Sequence, residues 1–176
     1  TKAAMRWSIK SFLLMWASSW AKIASISSVE RALIIAIGKN IADLKSPIVK
    51  GLPDSSIVKH PMPGEFYGRD VLFFSSDAPG GTGGFDLYYA TKLSTGVFDS
   101  PVNLGSMINT PADEITPFYK DGRLVFASDG LPSFGGLDLY STEWNGTSWS
   151  LPVNMGFGYN SPADDMGYVV DEEGYE

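Results

Sequence analysis

The chain has 176 residues, 44% hydrophobic and 19% charged, which is enough length and apolar content for a globular core. It contains no cysteine, which excludes disulfides, thiolate metal sites, cysteine nucleophiles and a lipid-modified N-terminal cysteine. The net charge of −7 is unevenly spread: residues 1–60 hold nine Lys/Arg and three Asp/Glu, while residues 61–176 hold four and seventeen, a balance of 4 − 17 = −13 that argues against a nucleic-acid partner.

Residues 1–46 read as a basic, apolar, leader-like or helical region. Met5-Arg6-Trp7-Ser8-Ile9-Lys10 is basic, Phe12–Ala17 is apolar, and small residues surround Trp20. The apolar stretch is too short to span a bilayer. Ser27-Ser28-Val29-Glu30 has the form of a capping box opening a helix that Gly38 would close. A leader with a linker helix, a helical adornment and sequence without a native fold all fit this region. Residues 47–69 form a boundary holding a poorly marked first strand within His60–Gly68.

From residue 70 onward the chain repeats itself. Leu72-Phe73-Phe74-Ser75-Ser76-Asp77 returns as Leu124-Val125-Phe126-Ala127-Ser128-Asp129, and Gly83-Gly84-Phe85-Asp86-Leu87-Tyr88 returns as Gly135-Gly136-Leu137-Asp138-Leu139-Tyr140, both 52 residues later. Pro101-Val102-Asn103-Leu104-Gly105 returns as Pro152-Val153-Asn154-Met155-Gly156, and Asn109-Thr110-Pro111-Ala112-Asp113-Glu114 returns as Asn160-Ser161-Pro162-Ala163-Asp164-Asp165, both 51 residues later. A period of this length marks an array of small supersecondary units. The units divide at about 70–108, 109–159 and 160–176.

Each unit reads as short strands separated by turn residues. In the earlier unit the expected strands are 71–75, 85–92 and 97–104, with Thr95-Gly96 at a turn. In the later unit they are 115–119, 123–128, 137–144 and 149–155, with hairpin turns at Asp121-Gly122 and Asn145-Gly146. A third unit is expected to begin at 166–170. Leu124, Phe126 and Ser128 share one face and Val125 and Ala127 the other, so both faces are expected to be buried. The fold class predicted is mainly β: two four-stranded antiparallel propeller blades, the start of a third, and a short helical N-terminal region.

These phrases resemble the TolB-type, WD-repeat-like β-propeller repeat. With Pro-Val-Asn-Leu-Gly, Asn-Thr-Pro-Ala-Asp-Glu and the ending Asp171-Glu172-Glu173-Gly174, the chain is similar to the version found in cell-envelope proteins of the Bacteroidota. Those proteins often place the propeller before an OmpA-like peptidoglycan-binding domain, and some are associated with type IX secretion. The resemblance implies a periplasmic or outer-membrane-associated setting and about six blades. With two blades and a start, the chain is expected to be part of a longer protein or a damaged copy. Peptidoglycan contact would come only through a domain outside it.

Asp77, Asp86, Asp129 and Asp138 flank Gly-rich loops and are weak candidates for Ca²⁺ ligation, which needs six to eight oxygens. The ordinary alternative is that each accepts backbone N–H bonds in its turn. Asp113, Glu114, Asp164 and Asp165 precede the first strand of a blade, where a carboxylate ring could meet a basic partner or cap a solvated turn. Trp144 and Trp149 flank a hairpin as a cross-strand pair or a sugar-stacking surface. His60, the sole histidine, is read as structural.

No catalytic group or cofactor is assigned, because each carboxylate cluster has a repeated twin and no nucleophile elbow is present. Asn145-Gly146-Thr147 is a formal glycosylation sequon read first as a turn. The expected function is a non-enzymatic scaffold for protein–protein interaction in the cell envelope. Its contact loops are expected at 78–84 and 130–136. The alternatives are a propeller module of a hydrolase whose catalytic domain lies elsewhere, or a carbohydrate-binding module.

Overall fold

A computed structural model describes residues 49–170. The leader-like and helical expectations for residues 1–46, and the Asp171–Gly174 ending, lie outside the described residues. Eight strands follow in chain order: β1 (Val58–Phe66), β2 (Arg69–Ser76), β3 (Asp86–Thr91), β4 (Val102–Asn103), β5 (Glu114–Lys120), β6 (Arg123–Ser128), β7 (Asp138–Glu143) and β8 (Val153–Asn154). They form two four-stranded antiparallel sheets, β1-β2-β3-β4 (sheet 1) and β5-β6-β7-β8 (sheet 2). Among the described residues there is no helix, and none long and apolar enough to cross a membrane.

The sheets share a register. Ser76 pairs with Asp86 and Ser128 with Asp138; Tyr88 pairs with Asn103 and Tyr140 with Asn154. Both inner hairpins turn through two consecutive residues of positive φ, Tyr67-Gly68 and Asp121-Gly122, the backbone that matches strand twist. The Asp-Gly turn was legible from composition. Tyr67 at φ 55 was not, and the β1–β2 hairpin is longer than its counterpart by the residues around it.

β1 was poorly marked for a structural reason. Its register slips between Lys59 and Met62, and that of β5 slips between Ile115 and Phe118. The bulged residues, His60 (φ 51) and Thr116 (φ 50), each precede a proline. A bulge leaves a residue outside the ladder, so a proline there removes no ladder bond. Gly167 (φ 83) repeats the feature. The strand expected at 166–170 nevertheless has no ladder partner among the described residues.

The outermost strands are shorter than expected. Only Val102–Asn103 and Val153–Asn154 pair with β3 and β7, joined by single bridges at Lys92–Phe98 and Trp144–Trp149. Pro101 and Pro152 withhold an N–H, and Gly105 (φ 82) and Gly156 (φ 77) then bend the chain away.

Both faces of each sheet are covered. Leu124, Val125, Phe126, Ala127 and Ser128 are all at most 1% exposed. One face of sheet 1 (Val71, Phe73, Leu87, Leu104, Ile108) packs on one face of sheet 2 (Tyr119, Leu124, Phe126, Tyr140, Trp149). The far face of sheet 1 (Leu72, Phe74, Tyr88, Ala90, Phe98) is covered by Val49, Leu52, Val58 and Ala78. The far face of sheet 2 (Val125, Ala127, Leu139) meets Tyr168 and Val170. The longer β1–β2 hairpin reaches across to sheet 2, where Phe66 stacks on Trp149 at 5.6 Å and meets Trp144 edge-on at 5.2 Å.

Candidate functional site

The chemistry-bearing residues gather where the connections of both units cross, and they do so twice. Asp86, 1% exposed, accepts the Thr82 and Gly83 N–H groups at 2.5 and 3.3 Å and the Asn103 amide at 2.8 Å. Asp138, 0% exposed, accepts Phe134 N–H, Gly135 N–H and the Asn154 amide at 2.7, 3.3 and 2.9 Å. Each carboxylate thus closes the Gly-rich loop before its own strand and ties it to the outermost strand. The Ca²⁺ reading needed these oxygens to be available. Instead they are occupied, and among the described residues no three His or carboxylate side chains converge on a metal position.

Asp77 and Asp129 do not join them. Asp77 Oδ1 accepts Ile57 N–H at 2.6 Å and Asp129 Oδ1 accepts Asp113 N–H at 2.9 Å, each fastening the strand entry beside it.

The connection 109–114 works as a clasp between sheets. Asn109 takes Leu87 N–H at 2.8 Å and returns its amide to Leu87 C=O at 3.1 Å and Asn103 Oδ1 at 2.8 Å. Asp113 Oδ1 accepts Phe85 N–H at 2.8 Å. Those bonds hold sheet 1. Glu114 holds sheet 2: its Oε1 accepts the Thr110 and Ser128 hydroxyls and its Oε2 the Thr110 N–H, all at 2.7 Å. In the second copy Asn160 repeats the scheme on Leu139 and Asn154, and Asp164 accepts Leu137 N–H at 3.0 Å. Among the described residues Asp165 takes Ser161 alone, through its N–H at 2.5 Å and its hydroxyl at 2.9 Å.

Glycines permit the crossing. A Cβ on Gly83 would meet the Pro111 backbone, and one on Gly84 the Asp113 carboxylate; Gly135 and Gly136 face Ala163 and Asp164 in the same way.

Two sequence expectations are corrected here. Glu114 is 0% exposed and does not belong to a partner surface; its side chain is drawn inside by three donors. Burial pushes its carboxyl above the usual range, partly opposed by hydrogen bonds from Thr110 and Ser128. Trp149 is 9% exposed and packed on Phe66, so it offers no face to a sugar ring; Trp144 is half-buried beside it at 5.2 Å. Asp113 and Asp165 are partly exposed and Asp164 is exposed.

His60 lies on the β1 bulge. The residue is exposed overall, but Nδ1 lies 3.1 Å from the buried Ser75 hydroxyl. Desolvation, then the neighbouring Lys59, lowers its pKa from 6.5.

The four asparagines, 103, 109, 154 and 160, and Ser128 are polar keystones that the sequence alone did not single out. Their signal was present, since all five lie inside repeated phrases. A groove of about 400 Å³ lined by Glu65, Tyr119, Lys120 and Asp121 mixes charges of both signs and contains no nucleophile beside a base.

No family model matches the chain, and no curated protein matches it. Among solved structures it is similar to an α-L-arabinofuranosidase from Lactobacillus brevis, at 15% identity and a TM-score of 0.42, over 67% of this chain and 42% of that one. The chain therefore spans about two fifths of that protein's length. A likeness of this extent bears on neither family nor activity.

Proposed function

We propose that the chain is a β-propeller scaffold that displays loops to protein partners, without chemistry of its own. The observation that carries the reading is the duplication of the hydrogen-bond scheme. Asp86 and Asp138, Asn109 and Asn160, and Asp113 and Asp164 each bind backbone at equivalent positions. Groups that recur in every unit and hold backbone serve the shape of the unit, and four antiparallel strands per unit is the make-up of a propeller blade. The setting proposed, a bacterial cell envelope, follows from the resemblance of the repeat phrases to TolB-type repeats of Bacteroidota envelope proteins.

In this reading the irregular connections 78–84 and 130–136 are the display surface, held rigid by Asp86 and Asp138 beneath them. The test immobilises the full chain against envelope extracts and identifies cross-linked proteins. A defined partner lost when both connections are replaced by Gly-Ser of equal length is the expected result. Turnover of aryl glycosides or peptides by the purified chain sinks the reading.

A further inference from the structure

The second unit carries two exposed aromatic rings that the first lacks. Phe134, in the β6–β7 connection, and Phe157, after β8, are 45% and 80% exposed, with ring centroids 4.3 Å apart. Their repeat counterparts, at 134 − 52 and 157 − 51, are Thr82 and Ser106. Those two are exposed as well, in the unit whose neighbouring sheet is in place. The positions therefore lie off the stacking face. Tyr159 is the contrast: its counterpart Ile108 is 0% exposed and covered by sheet 2. Nothing in the fold requires rings at 134 and 157, and paired exposed aromatics are the residues that anchor interfaces.

Along the described residues from Leu124 to Val170 the charge has one sign, with five Asp/Glu and no Lys, Arg or His. Asp129 and Asp164, both exposed, border the two ends of the loop that carries Phe134: Asp129 precedes Gly130, and Asp164 Oδ1 lies where a Cβ on Gly136 would sit.

We propose that Phe134 and Phe157, flanked by Asp129 and Asp164, form a docking surface for a lysine- or arginine-bearing segment of a partner protein. The methylene stem of such a side chain lies on the rings, and its cation meets the ring faces and the carboxylates. The inference rests on the scaffold reading and names the chemistry of the partner.

The test titrates the full chain into a fluorescein-labelled oligo-arginine peptide at about 0.15 M salt, where diffuse attraction is screened. Saturable binding is expected, weakened at least about tenfold in the Phe134→Ala/Phe157→Ala variant and unchanged in Ser106→Ala. Both rings are exposed, so an unchanged melting midpoint confirms that the double variant is folded. Equal affinity of the two variants reduces the effect to bulk charge and overturns the proposal. Absence of saturable binding overturns it too, as does a neutral oligosaccharide binding in the peptide's place. An envelope partner still captured by Phe134→Ala/Phe157→Ala leaves the scaffold reading standing while this surface fails.

Discussion

Sheet 1 and sheet 2 carry equivalent residues in equivalent register, yet Ile108 is 0% exposed and its counterpart Tyr159 is 39% exposed. Leu104 is buried in the cluster shared by both sheets, whereas Met155 is only partly buried against the cluster of Val125, Ala127, Leu139 and Tyr168. The clasp differs in the same direction. Glu114 reaches the Ser128 hydroxyl on the neighbouring strand β6, while among the described residues Asp165 bonds Ser161. A unit of this kind takes part of its burial from itself and part from its neighbour. Stability is then a sum of unit and interface contributions.

The strongest way to break that comparison is to truncate the stacking face on both sides. Ile108→Ala removes a fully covered side chain and is expected to destabilise by about 2–5 kcal/mol. Tyr159→Ala removes a partly solvated one and is expected to change stability by less than about 1 kcal/mol. Urea titrations of the two variants decide the matter, and equal losses would show that the second face is covered as well as the first.

The clasp comes next. Glu114→Ala leaves a backbone N–H and two hydroxyls without their shared acceptor, at an expected cost of about 2–3 kcal/mol, against about 1 kcal/mol for Asp165→Ala. The Glu114 carboxyl has a folded-state pKa raised above 4.5, with burial the largest cause. Over the interval between 4.5 and the raised value the folded chain binds the proton more tightly than the unfolded one. This group's contribution is therefore full below about pH 4.5 and declines as pH rises through the folded value. His60 works the other way, with a contribution that is lost as pH falls from 6.5 through its lowered pKa. Melting midpoints of the native chain and Glu114→Gln, compared across pH, isolate the first. The difference between them should grow in favour of the variant as pH rises, and a constant difference would contradict the burial argument.

The repeat made the sheets legible because its phrases place the same apolar alternation and the same turn glycines twice. Arg123–Ser128 could be read residue by residue, with Leu124 and Val125 facing opposite ways. β1 could not, because Pro61 and Pro63 serve a bulge and a hairpin longer than the one at Asp121-Gly122. The carboxylates were legible as turn residues but not by depth: Glu114 and Trp149 sit in phrases that read as surface, and the Thr110 and Ser128 donors around Glu114 and the Phe66 ring against Trp149 take them inside. Asn103 and Asn109 meet at 2.8 Å across a turn of the chain, and composition offers no signal for that meeting beyond the repetition itself.

The finest difference is a single hydroxyl. Ser128 Oγ donates to Glu114 and accepts Gly130 N–H at 3.1 Å, whereas Ser76 Oγ is buried with no partner among the described residues, with Val58 at the position opposite it. A buried hydroxyl with no partner costs desolvation and returns nothing. Ser128→Ala is therefore expected to lose about 1–2 kcal/mol, while Ser76→Ala is expected to be neutral or to gain up to about 1 kcal/mol. Chemical denaturation of both variants measures the two numbers. A loss at Ser76 equal to that at Ser128 would mean that Ser76 has an acceptor in solution, and the asymmetry between the two sheets would then end at the clasp.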